Sequence, residues 1–193
     1  MNVVESVDYW SGRYVQNQTG WDCGQITTPL KEYIDQLKDR NSKILIPGCG
    51  NAYEGEYMWK QGFKNVYILD FAPEAIANFK KLTPDFPAEN IIEHDFFDHY
   101  DTYDLVLEQT FFCAIHPSKR KDYAKHVSSL LNDKGKLVGV LFNKEFEGGP
   151  PFSGNYEEYV NLFANYFSEL NINPCYNSIK PRMGTELFIS LVK

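Results

Sequence analysis

From residue 43 onward, short apolar runs alternate with amphipathic stretches. The runs at 43–47 (KILIP), 65–70 (NVYILD), 91–94 (IIEH), 103–108 (YDLVLE), 136–142 (KLVGVLF) and 187–192 (LFISLV) each predict a strand. Cores such as ILI and LVGVLF are apolar throughout rather than alternating, the pattern of strands buried on both faces. Between the runs, 53–61, 73–82, 118–131 and 156–167 carry helical periodicity. Gly62 closes the first of these helices, Pro73 stands in the first turn of the second, and Ser118 is placed to cap the third. Strands alternating with helices over short links predict a mostly parallel sheet covered on both faces, a Rossmann-like α/β fold. Two segments break the rhythm: the first 40 residues, and the loop at 143–155 (NKEFEGGPPFSGN). Ligands of open α/β sheets bind at the carboxyl ends of the strands. Both segments are therefore candidate lids.

The most informative local pattern is ILIPGCGNAYE at 44–54, a buried strand running into a turn with two glycines and then a helix. Gly48 and Gly50, on either side of Cys49, let backbone N–H groups approach a ligand, and the helix start adds partial positive charge. Asp70 ends the next strand, twenty positions beyond Gly50, where a carboxylate can accept both ribose hydroxyls. The third glycine of a dinucleotide turn is absent, and Glu54 would repel phosphate. That favours an adenosyl ligand without a pyrophosphate over a nicotinamide dinucleotide. Asp95 ends the third strand and is placed for the adenine amino group, with Phe96 over the ring; an Asp that caps its own turn is the plainer reading. In this order three strand ends trace methionine end, ribose and base, with Phe71 beside Asp70.

Composition narrows the class. The chain has 193 residues, of which 43% are hydrophobic and 23% charged, which suits one globular domain. No apolar run approaches the roughly 18 residues of a membrane span, and the first six residues lack the basic and apolar regions of a signal peptide. Cys23, Cys49, Cys113 and Cys175 contain no CxxC pair, so neither a disulfide framework nor a metal site is expected, and a reducing cytoplasm fits. A net charge of −7 argues against a phosphate-coating surface. The one dense basic cluster, Lys119-Arg120-Lys121, reads as a solvated helix start. The expectation is a cytoplasmic monomer acting on a small molecule, with neither nucleic acid nor membrane as partner.

Six segments together resemble the thiopurine S-methyltransferase superfamily, in particular its plant-type thiol and halide branch. They are 10–14 (WSGRY), 19–24 (TGWDCG), 28–30 (TPL), 46–50 (IPGCG), 111–115 (FFCAI) and 148–152 (GGPPF). The resemblance implies a class I S-adenosylmethionine-dependent methyltransferase: a mostly parallel seven-stranded sheet with its last strand antiparallel. It also implies a helical N-terminal lid, residues 1–40 covering the cofactor and 43–193 forming the core. Cofactor positions of the family fall on Trp10, Tyr14, Trp21, Gly48, Asp70, Asp95, Phe96 and Gln109. Tyr14 stands where relatives commonly have Trp, and Gln109 where some have Arg or Tyr.

The implied chemistry is transfer of a methyl group to a small soft nucleophile, a thiol first and otherwise a halide, thiocyanate or thiopurine, leaving S-adenosylhomocysteine. Aromatic faces attract a sulfonium cation by roughly 0.5–2 kcal/mol each, which suits Trp10, Tyr14 and Trp21; a hydrophobic staple onto the sheet is the plainer reading. The acceptor pocket is expected from Phe111, Phe112, Phe142, Phe146, Pro151 and Phe152, with Arg182 placed either to hold an anion or to bond loop carbonyls. No obligatory base is expected. His116 is a candidate to help deprotonate a thiol, and Cys113 reads as a packed hydrophobe. A nicotinamide-dependent oxidoreductase and a cofactor-binding protein without turnover remain as alternatives.

Overall fold

The computed structural model describes residues 6–193. Residues 1–5, on which part of the signal-peptide reading and the start of the lid rest, lie outside the described residues. Strands β1 (Ile44–Pro47), β2 (Val66–Asp70), β3 (Ile91–Glu93), β4 (Tyr103–Gln109), β5 (Leu131–Phe142), β6 (Glu169–Pro174) and β7 (Glu186–Val192) form one sheet in the order β3-β2-β1-β4-β5-β7-β6. The five strands from β3 to β5 are mutually parallel, and β7 runs antiparallel to both β5 and β6. The helices are α1 (Val7–Val15), α2 (Thr28–Gln36), α3 (Tyr53–Lys60), α4 (Pro73–Leu82), α5 (Arg120–Ser129) and α6 (Tyr156–Phe163).

Central β1 is buried at every position because both faces are covered. Its pleat sends Ile44 and Ile46 to one core with Ile34 of α2, Met58 of α3 and Phe79 of α4. Leu45 goes to the other core with Tyr123 of α5 and Phe163 of α6. Burying each such side chain contributes about 1.5–3 kcal/mol. The chain leaves β1 toward β2 on one side and later fills β4 on the other. Their carboxyl ends therefore diverge and open a crevice at the point where strand order reverses.

Several boundaries differ from the sequence expectation. The helix expected over 118–131 spans only Arg120–Ser129, preceded by a 3₁₀ turn at Pro117–Lys119. Ser118 does not cap it: the Ser118 N–H donates to His116 Nδ1, so His116 caps the turn instead. β5 begins at Leu131 rather than 136, because the polar stretch after it pairs across a register irregularity beside Tyr103. α6 ends at Phe163, four residues before the expected end. β6, with Asn171 and Asn173 among its residues, lies at the sheet edge and carries no apolar run to announce it.

Candidate active site

The crevice holds a cavity of about 650 Å³. β1 runs into it through Gly48, at φ +54°, where a Cβ would be strained and would overlap the ring of Phe111. Gly50 has the same φ, and the Tyr14 hydroxyl stands 3.1 Å from where its Cβ would be. The turn thus needs glycine for both conformation and closeness. Asp70, at the end of β2, accepts the Gly50 N–H on Oδ2 and the Ala72 N–H on Oδ1, both at 2.9 Å. It ties two strand-end turns together, and each oxygen keeps a second lone pair for a hydroxyl. Burial raises its carboxyl above the usual carboxylate range, while the two N–H groups oppose that shift. Asp95 follows β3, borders the cavity and accepts the Phe97 N–H at 2.8 Å, so it does cap its own turn.

Gln109 ends β4. Its Oε1 accepts the Thr27 hydroxyl at 2.8 Å, and its Nε2 is buried without a partner among the described residues. A buried donor left unpaired costs about 1–3 kcal/mol. A ligand oxygen in this cavity would relieve that cost. Glu108, one residue earlier, is wholly buried. It accepts the N–H groups of Phe111 (2.8 Å) and Phe112 (2.9 Å) and the Tyr123 hydroxyl (2.8 Å). Burial pushes its carboxyl up to about 7. This carboxylate fixes the turn that presents Phe111 to the cavity.

The N-terminal segment covers the crevice. α1 aligns Trp10, Arg13 and Tyr14 at i, i+3 and i+4, one face of a helix, and all three line the cavity. Trp21 packs edge-on against Trp10 and Tyr14, with ring centroids 5.3 and 5.7 Å apart. None of the α1 residues is fully buried. The cover is held down by packing of α1 on α4 and by hydrogen bonds to Asp22 and Trp21, among them one from the Tyr53 hydroxyl to Asp22 at 3.4 Å. Asn51 Nδ2 donates to Asp22 Oδ2 at 2.6 Å, and Arg182 Nη2 donates to the Trp21 carbonyl at 2.9 Å. Burial, with Asp70 and Cys49 nearby, raises the Tyr14 phenol far above its ordinary range and keeps it neutral.

The other end of the cavity is mostly apolar, lined by Phe111, Ala114, Ile115, Phe142, Pro150 and Pro151, with Lys119 and Arg182 as its charged members. Burial pushes the Cys113 thiol up to about 12, and its Sγ donates to the Thr110 carbonyl, so it stays a thiol. No group of His, Cys, Asp and Glu among the described residues could hold a metal ion.

The thiopurine S-methyltransferase family model matches residues 5–183. The chain belongs to this family. It is 28% identical over 184 residues to a probable thiol methyltransferase 2 of Arabidopsis thaliana, covering 92% of this chain and 81% of that protein. It is 26% identical over 184 residues to thiocyanate methyltransferase 1 of the same plant, with the same coverage. Among solved structures, a TehB-like SAM-dependent methyltransferase from Corynebacterium glutamicum superposes with a TM-score of 0.71 at 19% identity, covering 95% of this chain and 98% of that one. The sheet, with β7 antiparallel, is that of the class I S-adenosylmethionine-dependent methyltransferases.

Within this thiopurine S-methyltransferase fold, the residues expected around the cofactor come together. Trp10, Tyr14, Trp21, Gly48, Cys49, Gly50, Asp70, Phe71, Asp95, Phe96 and Gln109 all line the cavity. Phe96 does so without offering a ring face. It is 3% exposed and packs into the core against Phe111, Tyr123 and His126, while its neighbour Phe97 lines the cavity. Of the expected acceptor residues, Phe111, Phe142, Pro151 and Arg182 reach the wall, and Phe112, Phe146 and Phe152 do not. Phe112 is buried against Tyr123, Tyr159 and Phe163, because the 3₁₀ turn after β4 points successive side chains to opposite sides. Phe146 packs on Phe142, and Phe152 on His116. His116 is itself outside the wall, its Nδ1 paired with Ser118 Oγ at 2.8 Å. His94, directly after β3, is at the wall instead. Sequence reasoning overlooked Arg13, although its place three residues after Trp10 marks it. It also overlooked Thr27 and Glu108, for which no local signal exists.

Proposed function

We propose that this protein methylates a small, soft nucleophile, a thiol foremost, with S-adenosylmethionine as donor. One observation carries the reading: an aromatic cover closes over three adjacent strand ends, and the far end of the same cavity is mostly apolar and contains no histidine. The orphaned Gln109 Nε2 and the second lone pairs of Asp70 fit the polar groups of such a donor. When bound, the donor supplies a methyl group on a sulfonium. The chain does the rest. Asp70 accepts ribose hydroxyls, Asp95 meets the base, and Trp10, Tyr14 and Trp21 turn π faces toward positive charge. Phe111, Phe142 and Pro151 exclude water and align the acceptor, the main tasks in an in-line displacement by a soft nucleophile. A thiol has a pKa near 8.5, so a few per cent is already thiolate at neutral pH.

The same reading makes residues 1–193 one domain and the protein a cytoplasmic monomer whose partner is a small molecule rather than nucleic acid. Its four cysteines are free thiols and its net charge is −7, both of which support this. No helix among the described residues is long and apolar enough to cross a membrane. The decisive experiment supplies methyl-labelled donor with a panel of hydrosulfide, a thiopurine, thiocyanate, iodide, an amine and a catechol. Sulfur acceptors, then thiocyanate and iodide, are expected to carry the label. Turnover of the amine or catechol alone would overturn the proposal.

A further inference from the structure

Glu54, like Arg13 and Lys119, is a charged group at the cavity with no role assigned so far. It lies in the first turn of α3, is 6% exposed and lines the cavity. Its carboxylate is met by the N–H of Glu54 itself and by no other side chain among the described residues, whereas the oxygens of Asp70 and Glu108 are each met by N–H or O–H donors of other residues. The groups that face it are Arg182 from the turn before β7, Cys23 from the N-terminal cover and Cys49 from the turn after β1. Arg182 is not free to neutralise it. One guanidinium nitrogen donates to the Trp21 carbonyl at 2.9 Å, and another sits 3.5 Å from Glu186, a carboxylate with the same claim on its charge. The cavity thus presents a carboxylate that no other side chain hydrogen-bonds and, at Gln109 Nε2, Arg13 Nε and Arg182 Nη1, buried donors without a hydrogen-bond partner among the described residues.

An acid that no other side chain hydrogen-bonds and an amide donor without a partner suit a ligand that carries a cation and a carboxylate on one carbon. We propose that Glu54 anchors the α-ammonium group of the donor's amino-acid end, with Gln109 Nε2 donating to its carboxylate. This rests on the reading of the cavity as an S-adenosylmethionine site. An acceptor-side role fits less well, since a carboxylate there would repel the thiolate, halide or thiocyanate that the pocket is built to admit. The sulfonium already has the aromatic cover. Burial pushes the Glu54 carboxyl up to about 7 against the opposing effects of its own N–H and of Arg182, so the ligand-free protein carries a neutral acid there for part of the time at neutral pH. An arriving ammonium favours the ionised form and lowers that value. Binding near neutral pH therefore releases a proton from Glu54 to solvent, and affinity falls as pH drops below about 7.

The test compares S-adenosylhomocysteine with 5′-methylthioadenosine, which keeps the nucleoside and lacks the amino-acid end. Calorimetry in buffers of different ionisation enthalpy counts the protons released on binding. Near neutral pH the wild-type protein should release protons with S-adenosylhomocysteine and none with 5′-methylthioadenosine. Glu54→Gln should abolish the release and weaken S-adenosylhomocysteine by about ten- to a hundredfold, while leaving 5′-methylthioadenosine affinity unchanged, since only a charged hydrogen bond is lost. Unchanged binding of the truncated ligand also shows that the variant is folded. Equal weakening of both ligands, unchanged S-adenosylhomocysteine affinity, or equal proton release with both would overturn the assignment. Failure of both ligands to bind wild-type protein would sink the cofactor reading itself, a distinct outcome.

Discussion

Asp70 accepts the N–H groups of Gly50 and Ala72 before any ligand arrives, so removing it acts on the turn and on the ligand together. Asp70→Ala should weaken S-adenosylhomocysteine by about ten- to a hundredfold through the lost charged acceptor. It should also lower the melting temperature, because two N–H groups lose their partner. Titration calorimetry and a thermal melt read the two effects separately, and undiminished affinity would remove Asp70 from the ribose. At this scale the sequence was legible wherever a residue type has one economical explanation. Two glycines after a buried strand, and an acid at the tip of the next, point to a turn and a hydroxyl acceptor. Glu54 was legible only as an acid near a turn. That no other side chain hydrogen-bonds it, while Asp70 and Glu108 have several partners, depends on contacts with residues far along the chain. The side to which Phe112 points, into the core rather than the pocket, is likewise set by a 3₁₀ turn that no apolar pattern announces.

At the scale of elements, α1 differs from the other five helices in having no fully buried residue. Its hold on the rest comes from packing against α4 and from hydrogen bonds just beyond it, at Trp21 and Asp22, to which it is joined by the aromatic cluster. Segments with so little buried apolar surface open at low free energy. Backbone amides of residues 7–24 should therefore exchange quickly in the free protein and slow markedly when S-adenosylhomocysteine is bound, whereas those of β1 and β4 should be protected in both states. Equal protection of 7–24 with and without ligand would make this segment a fixed structural arm. The six strands read from apolar runs are all present. The seventh, β6, was implied only by the family resemblance, because an edge strand with Asn at alternate positions buries too little to leave a pattern. α2 was not read as an element of its own, although Pro29 stands in its first turn: at nine residues it is too short for its periodicity to stand out.

For the molecule as a whole, the function proposed above separates a polar nucleoside end from a mostly apolar acceptor end, and this sets the response of the reaction to pH. With donor saturating, kcat/KM for a thiol should climb as pH rises toward the thiol pKa near 8.5, and should stay level for iodide, which is ionised throughout. His116 packs edge-on against Phe152 and is paired with Ser118, outside the cavity wall. His116→Ala should therefore follow both wild-type profiles. A large loss with iodide, or a thiol profile that flattens in the variant, would return His116 to the chemistry. The overall α/β plan was legible because it follows from which strands are buried on both faces. The meeting of Trp21 with Arg182 was not, because 161 residues separate them.

The position of β7 bears on how the protein is made. It comes latest of the seven strands in chain order, yet it sits between β5 and β6. On the ribosome, β5 emerges with one edge bare and β6 with no neighbour at all, and both wait for residues 186–192 before the sheet can close. Unpaired edges invite pairing with other chains. Arg182, the residue that latches the N-terminal cover, arrives just ahead of β7. The cover is thus among the first parts synthesised and among the last to be secured, and nascent chains of this protein should depend on chaperones until translation has passed β7.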